Sequence, residues 1–188
     1  MTARWVVSIA DERDLHVRWL PISLLRKNDP DPASTYYAGV AASHGLLRVM
    51  EATRAAHGDD AVGQLYEELG RRIHHDREEL VDPTEALIAC GLDPALAAAR
   101  EQARWDDPIQ AAMDDGLGLV GPDVGTPIIA WARPDGQRVG IFGPVITRVP
   151  GHATSLRMWD AMVTLTEIDG FWELKRTRTE RPDPGPRP

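Results

Sequence analysis

The strongest constraint on the fold is a run of helix signals spanning residues 33–119, with strand-like segments on either side. Leu46, Leu47 and Met50 form the i, i+1, i+4 stripe of a buried helix face, and Leu65 and Leu69 repeat it further on. Three later helix starts share one spelling: Asp82-Pro83, Asp93-Pro94 and Asp107-Pro108. In each, the Asp can cap the unpaired first-turn amides, and proline sits where its missing N–H costs nothing. Glu85 is spaced to complete a capping box with Asp82. Gly91 supplies a left-handed stop behind the short helix that carries Cys90.

The flanks read differently. Residues 3–12 form a helix with no N-cap signal before it, which hints that the chain begins inside a longer element. Leu15 to Leu24 reads as a strand, with Leu15, Val17 and Trp19 on one face. Asn28 to Pro32 is rich in turn formers. Pro127–Arg133 and Arg138–Phe142 read as two strands, joined by a Pro134-Asp135-Gly136 turn into an antiparallel hairpin. Residues 155–168 form an amphipathic helix, and the Pro-rich tail 182–188 reads as disordered. The fold class is therefore α/β, with helices inserted into the middle of a small sheet. Residues 1–32 and 120–181 form one discontinuous domain, and 33–119 form the insertion.

Composition narrows the function. The 188 residues carry a net charge of -8, which argues against nucleic acid as a partner. No apolar run approaches membrane-spanning length. The short stretch Trp5 to Ala10 is broken by Asp11-Glu12-Arg13, so it reads as neither a secretion signal nor an anchor. A soluble, cytoplasmic protein is expected. Cys90 is the only cysteine, so the chain has no dithiol of its own. Set among Leu87, Ile88 and Ala89, it reads as a buried structural residue.

Several patterns invite chemistry. Gly116 to Gly121 matches G-x-G-x-x-G, but a dinucleotide site needs a strand before the glycines and a helix after them. Here a helix precedes and Pro122-Asp123 follows, which favours a helix stop and loop. His74 and Glu78 have chelating spacing on a helix, yet two ligands are too few for a metal, and a histidine near the negative end of a helix is the simpler reading. No nucleophile elbow and no Ser, His and Asp triad stands out. Thr126-Pro127 places proline at the first residue of a strand, a position that suits a trans or a cis bond.

Gly-Thr-Pro opening a hairpin, after a helical block and before a last amphipathic helix, resembles the thioredoxin fold of the DsbA-like family. Gly70 to His74 (GRRIH), Asp123 to Pro127 (DVGTP), Phe142 to Val145 (FGPV), Leu156 to Ala161 (LRMWDA) and Phe171 to Glu180 (FWELKRTRTE) resemble its actinobacterial branch of mycothiol-dependent reductases, nitroreductases included. The resemblance implies a thioredoxin-like (DsbA-like) fold with a large helical insertion. It also implies a Cys-x-x-Cys motif at a helix N-terminus, where the helix field favours the thiolate. In the family, Thr-x-Arg-Trp follows that motif, and Thr2-Ala3-Arg4-Trp5 matches it. The first core strand and both redox cysteines are absent from these residues, so the expectation is an N-terminally truncated oxidoreductase, inactive and unstable alone, with no catalytic residue of its own. Thr126 and Pro127 are expected to present backbone to substrate, with His74, Asn28 and Tyr36 or Tyr37 around the pocket. Mycothiol is implied as a co-substrate that is not permanently bound, beside a small-molecule or disulfide substrate. No metal is implied, and there is room for a homodimer. The alternatives are a non-redox thiol-cofactor enzyme of the same fold (the 2-hydroxychromene-2-carboxylate isomerase and kappa glutathione transferase type) or a non-catalytic binding module. Coding sequence upstream separates them: Cys-x-x-Cys favours the first reading, and serine at the first position the second.

Overall fold

A computed structural model describes residues 1–187. Its secondary structure is mixed: seven α-helices and one hairpin among the described residues, with short 3-10 and π segments between them. The chain divides into two compact units, residues 18–115 with 187, and residues 1–17 with 116–186.

The first unit is helical. Its centre is α3 (Tyr37–His57), which packs against α4 (Asp59–Arg71) and a 3-10 segment (Pro94–Glu101), and α5 (Pro83–Ala89) packs on both of these. Leu46, Val49, Met50 and Thr53 make the buried stripe of α3, and Leu47 lies at its margin. They meet Val62, Leu65 and Leu69 from α4 and Leu87 from α5. Asp82 caps α5 as its spelling suggests, with Oδ1 accepting from Thr84 N at 2.8 Å and Pro83 in the first turn. Asp93 does the same for the 3-10 segment, accepting from Ala95 N at 2.9 Å. Glu85 does not fold back as a capping box; it accepts from Arg72 at 2.9 Å. Behind α5, Leu92 N donates to Leu87 O at 2.9 Å and Gly91 N to Ile88 O at 3.0 Å, with Gly91 at φ 68°. This is a Schellman stop.

The expected strand over residues 15–24 does not form. Its alternation survives, since Leu15, Val17 and Trp19 are half-buried and the residues between them are exposed. However, β1 (Ile128–Ala132) and β2 (Arg138–Phe142) are the only paired strands among the described residues. A ladder needs a neighbour for its N–H and C=O groups, and this segment has none. From Leu24 to Asn28 the chain is instead a short helix, α2. Ser23 caps it, its Oγ accepting from Arg26 N at 3.2 Å.

The second unit holds the hairpin between α1 (Thr2–Val7) and α7 (His152–Thr166) in its core. The strands are antiparallel, with Ile128 opposite Phe142 and Ala132 opposite Arg138. Gly136, at φ 83°, makes the turn. Trp5 and Ile9 are fully enclosed with Met162, and Trp5 Nε1 donates to Ser155 O at 3.1 Å. Trp159 of α7 touches Trp5 and Trp131 at ring separations of 6.0 and 6.2 Å. α6 (Asp106–Val120) runs through Gly116 and Gly118 and stops at Gly121, at φ 92°. No helix opens after the third glycine, so the dinucleotide arrangement is not built. Gly140 lets the end of α6 approach β2: a Cβ there would lie 2.9 Å from Leu119 Cβ.

Candidate functional site

The helical unit carries an open groove of about 320 Å³. Ser43 and Leu46 of α3 form one side, and Val81 and Arg100 continue it. The opposite side comes from a π-helical turn, Arg72–Asp76, that ends α4 and turns back at Arg77, at φ 58°. That turn places Ile73 and His74 in the groove, next to Glu78 and Glu79. The turn is rigidly tethered. Glu68 accepts from Arg71 at 2.6 and 2.7 Å and from Arg72 at 2.7 Å. Asp76 pairs with Arg71 and also accepts from Arg187 at 2.8 Å. His74 has its pKa pushed below the ordinary histidine value, chiefly by desolvation, so it is a neutral imidazole near pH 7. No helix among the described residues is long and apolar enough to cross a membrane. No group of three His, Cys, Asp or Glu side chains converges as a metal site among them.

The structure brings some of the expected site residues together and not others. Asn28, the last residue of α2, donates from Nδ2 to Tyr36 Oη at 3.2 Å, and Tyr36 is 47% exposed. Neither lines the groove that holds His74. Thr126 and Pro127 belong to the other unit. Their peptide bond is cis, as is Gly143–Pro144. Pro127 O accepts from Gly143 N at 2.8 Å, and Pro144 O accepts from Thr2 Oγ1 at 2.7 Å. The loop opening β1 is thereby laced through the loop after β2 to the first turn of α1.

One arrangement had no sequence signature. Ser23 Oγ lies 2.9 Å from His44 Nδ1, and His44 Nε2 lies 3.0 Å from Asp106 Oδ1. Arg48 holds the same carboxylate with two bonds, at 2.6 and 2.8 Å. The three residues are 21 and 62 positions apart along the chain, on three elements, and only the fold unites them. The order of atoms resembles a hydrolytic triad, but the chemistry does not. Ser23 is 1% exposed, and its oxygen is already occupied as the cap of α2. A nucleophile must reach a carbonyl carbon, and this hydroxyl reaches none. The cluster is a buried polar clamp that ties α2, α3 and α6 together.

Cys90 ends α5 and packs against the helical core. Burial pushes its thiol pKa up, and nearby Glu68 adds to that. A reactive cysteine needs the reverse, so Cys90 reads as structural, although it is half-buried at the core's margin rather than buried as its setting in the sequence suggests.

A family model described as Rv2466c-like, mycothiol-dependent nitroreductase Rv2466c, matches residues 1–176. That span takes in both units, from α1 through α7, and the chain belongs to this family of mycothiol-dependent nitroreductases.

Proposed function

We propose that the chain is a mycothiol-linked reductase with a DsbA-like, thioredoxin-type frame, acting on nitro compounds or disulfides in the cytoplasm. The match over residues 1–176 carries the reading. In this reading, residues 1–32 and 120–181 belong to the thioredoxin-type frame and 33–119 are its helical insertion. By family position, Thr126 and Pro127 contact substrate through their backbone, and His74, Asn28 and Tyr36 are further substrate-binding residues.

The chemistry is two-electron transfer. Two thiols give up an electron pair and two protons to form one disulfide. A nitro group accepts them, loses one oxygen as water, and becomes a nitroso group. Thiolate attack on a disulfide sulfur completes any disulfide exchange, and its rate depends on the thiolate fraction. Cys90 is the only cysteine in these 188 residues, and its raised pKa keeps it protonated. The reacting thiols therefore come from mycothiol or from a cysteine outside these residues. His74, neutral near pH 7, is placed to exchange a proton with a ligand in the groove.

The test is a stoichiometric assay with protein, mycothiol and a nitroarene. Nitroso product and mycothiol disulfide formed one for one, above the thiol-only rate, support the reading. Saturable mycothiol binding without turnover supports it too, and assigns the reacting thiol to a cysteine outside these residues. Absence of any mycothiol binding, by calorimetry, overturns it.

A further inference from the structure

One wall of the groove is held by charge rather than by packing. Leu69 and Val81 are buried, and none of the residues 70–80 between them is. Ile73 is 40% and Leu80 71% exposed. The stretch nevertheless carries Ile73, His74, Glu78 and Glu79 of the groove lining. It also holds an unfavourable backbone, a π-helical turn over Arg72–Asp76 followed by Arg77 at φ 58°, a region that side chains other than glycine rarely adopt. Such a shape persists only where its surroundings fix it.

The bonds of this stretch divide into two sets. At its base, Glu68 accepts from Arg71 and Arg72, and Glu85 accepts from Arg72 at 2.9 Å. These fix where the turn begins. Beyond Arg72, Arg77 N and Glu78 N both donate to Arg72 O, Glu78 meets Arg72 at a loose 3.5 Å, and Arg71 pairs with Asp76. All four are internal, so they shape the turn without fixing its far end against anything else. Among the described residues, Arg187 supplies the one side chain from outside 68–80 that bonds to any of residues 73–80, and it comes from 111 positions away. Its guanidinium spans both oxygens of Asp76, with Nε donating to Oδ1 at 2.8 Å and Nη2 to Oδ2 at 3.2 Å. A two-point bond from a planar fork fixes direction as well as distance. Arg187 is also the chief reason that the Asp76 carboxyl lies below the usual carboxylate range.

We infer that Arg187 is a positioning residue for the groove: by gripping Asp76 it pins the wall that carries Ile73 and His74. Without that grip the far end of the turn swings on its Arg71–Arg72 base, and the groove loses a defined width. The grip lies partly in solvent, with the Arg187 side chain 60% exposed and that of Asp76 24%, so salt loosens it. The wall is thus a gate whose pin sits near the C-terminus, whether or not the groove takes mycothiol.

The test follows amide exchange at Arg77 and Glu78 and the imidazole resonances of His74, by NMR on the full chain. Arg187→Gln should speed exchange at both amides about threefold and shift the His74 signals, with the urea midpoint unchanged. Arg187→Lys should recover part of the protection, because an ammonium does not offer the planar fork. Arg181→Gln makes the same charge change at another exposed residue near the C-terminus and should leave every signal at its wild-type value. Added salt should speed the two amides in the wild type and hardly alter them in Arg187→Gln. Mycothiol, where it binds, should bind Arg187→Gln about threefold more weakly, since a wall that must first be ordered gives up affinity. The proposal is overturned if Arg187→Gln leaves the two amides unchanged, if Arg181→Gln reproduces its effect, or if bound mycothiol does not distinguish Arg187→Gln from the wild type. Exchange that rises equally throughout α3 and α4 also overturns it, because Arg187 would then serve global stability alone. Mycothiol that binds no variant sinks the reductase reading, and the amide result then decides this one by itself.

Discussion

The proton positions in the Ser23–His44–Asp106 clamp follow from counting donors. Ionised Asp106 only accepts, so His44 Nε2 carries a proton, and in the neutral imidazole Nδ1 then accepts from the Ser23 hydroxyl, whose oxygen accepts from Arg26 N. His44 is neutral near pH 7 because its pKa is depressed. Burial lowers its pKa below the ordinary histidine value, outweighing the pull of Asp106, while the bond from Arg48 chiefly holds Asp106 below the usual carboxylate range. The unfolded chain binds these protons more readily than the folded one, so both groups make stability rise with pH. The His44 contribution is present above about pH 6.5 and is lost as pH falls through the folded value. Urea midpoints taken between pH 7.5 and 5 should fall in the wild type and fall less in His44→Gln. Parallel pH profiles for the two proteins would refute the assignment; His74→Ala is the control, because that histidine is also depressed. Cys90 makes the opposite kind of prediction. With its thiol pKa raised and its side chain against the core, Cys90→Ala should leave any mycothiol-dependent turnover intact, and alkylation of the native thiol at pH 7 should be slower than that of a free cysteine. A loss of turnover in that variant would return Cys90 to the mechanism.

Elements whose ends are marked by local chemistry were legible in the sequence, and those that depend on a neighbour were not. Asp82 and Asp93 cap because the aspartate needs only the amide two residues on. The hairpin is legible because Pro134-Asp135-Gly136 sets its own turn, with Asp135 accepting from Gln137 N at 2.9 Å. Residues 15–24 misled because alternation reports exposure, not pairing, and Ser23 was read as strand although a serine before Leu24-Leu25 also spells a cap. Asp107-Pro108 lies within the first turn of α6, since that helix starts at Asp106 and commits that residue to His44 and Arg48. The candidate site divides in the same way. His74 and the Thr126–Pro127 loop could be pointed to by resemblance, but Gly45 and Arg100, 55 positions apart, meet only in space. Gly91 tests the local side of this contrast. At φ 68° it completes the Schellman stop, and Gly91→Ala forces a Cβ into the left-handed region. Chemical denaturation should show a loss of about 1 kcal/mol. No loss would mean that the stop is not held in the folded chain.

At the scale of the whole molecule, the two units differ in how much they enclose. In the helical unit Val49, Val62, Leu65, Ala86 and Leu87 are fully shielded from solvent, contributed by α3, α4 and α5, and Arg72 links Glu68 of α4 to Glu85 of α5. In the other unit the enclosed core is Trp5 and Ile9, with Val6 and Met162 nearly so, and no residue of β1 or β2 is fully buried. A two-stranded hairpin is marginal unless something packs on it, and among the described residues both outer edges of this one have no strand partner. Local opening follows the density of buried apolar contacts, so the two units should exchange their amide hydrogens on separate schedules. Hydrogen exchange read by mass spectrometry should find peptides of α3, α4 and α5 protected longest, with β1, β2 and α7 exchanging well before them. On heating, the hairpin unit should open first and expose its strand edges, so aggregation should begin below the temperature at which the helical signal is lost, and it should grow with protein concentration. A single cooperative transition, with uniform protection across both units and no concentration dependence, would show that the hairpin unit draws its stability from the helical one.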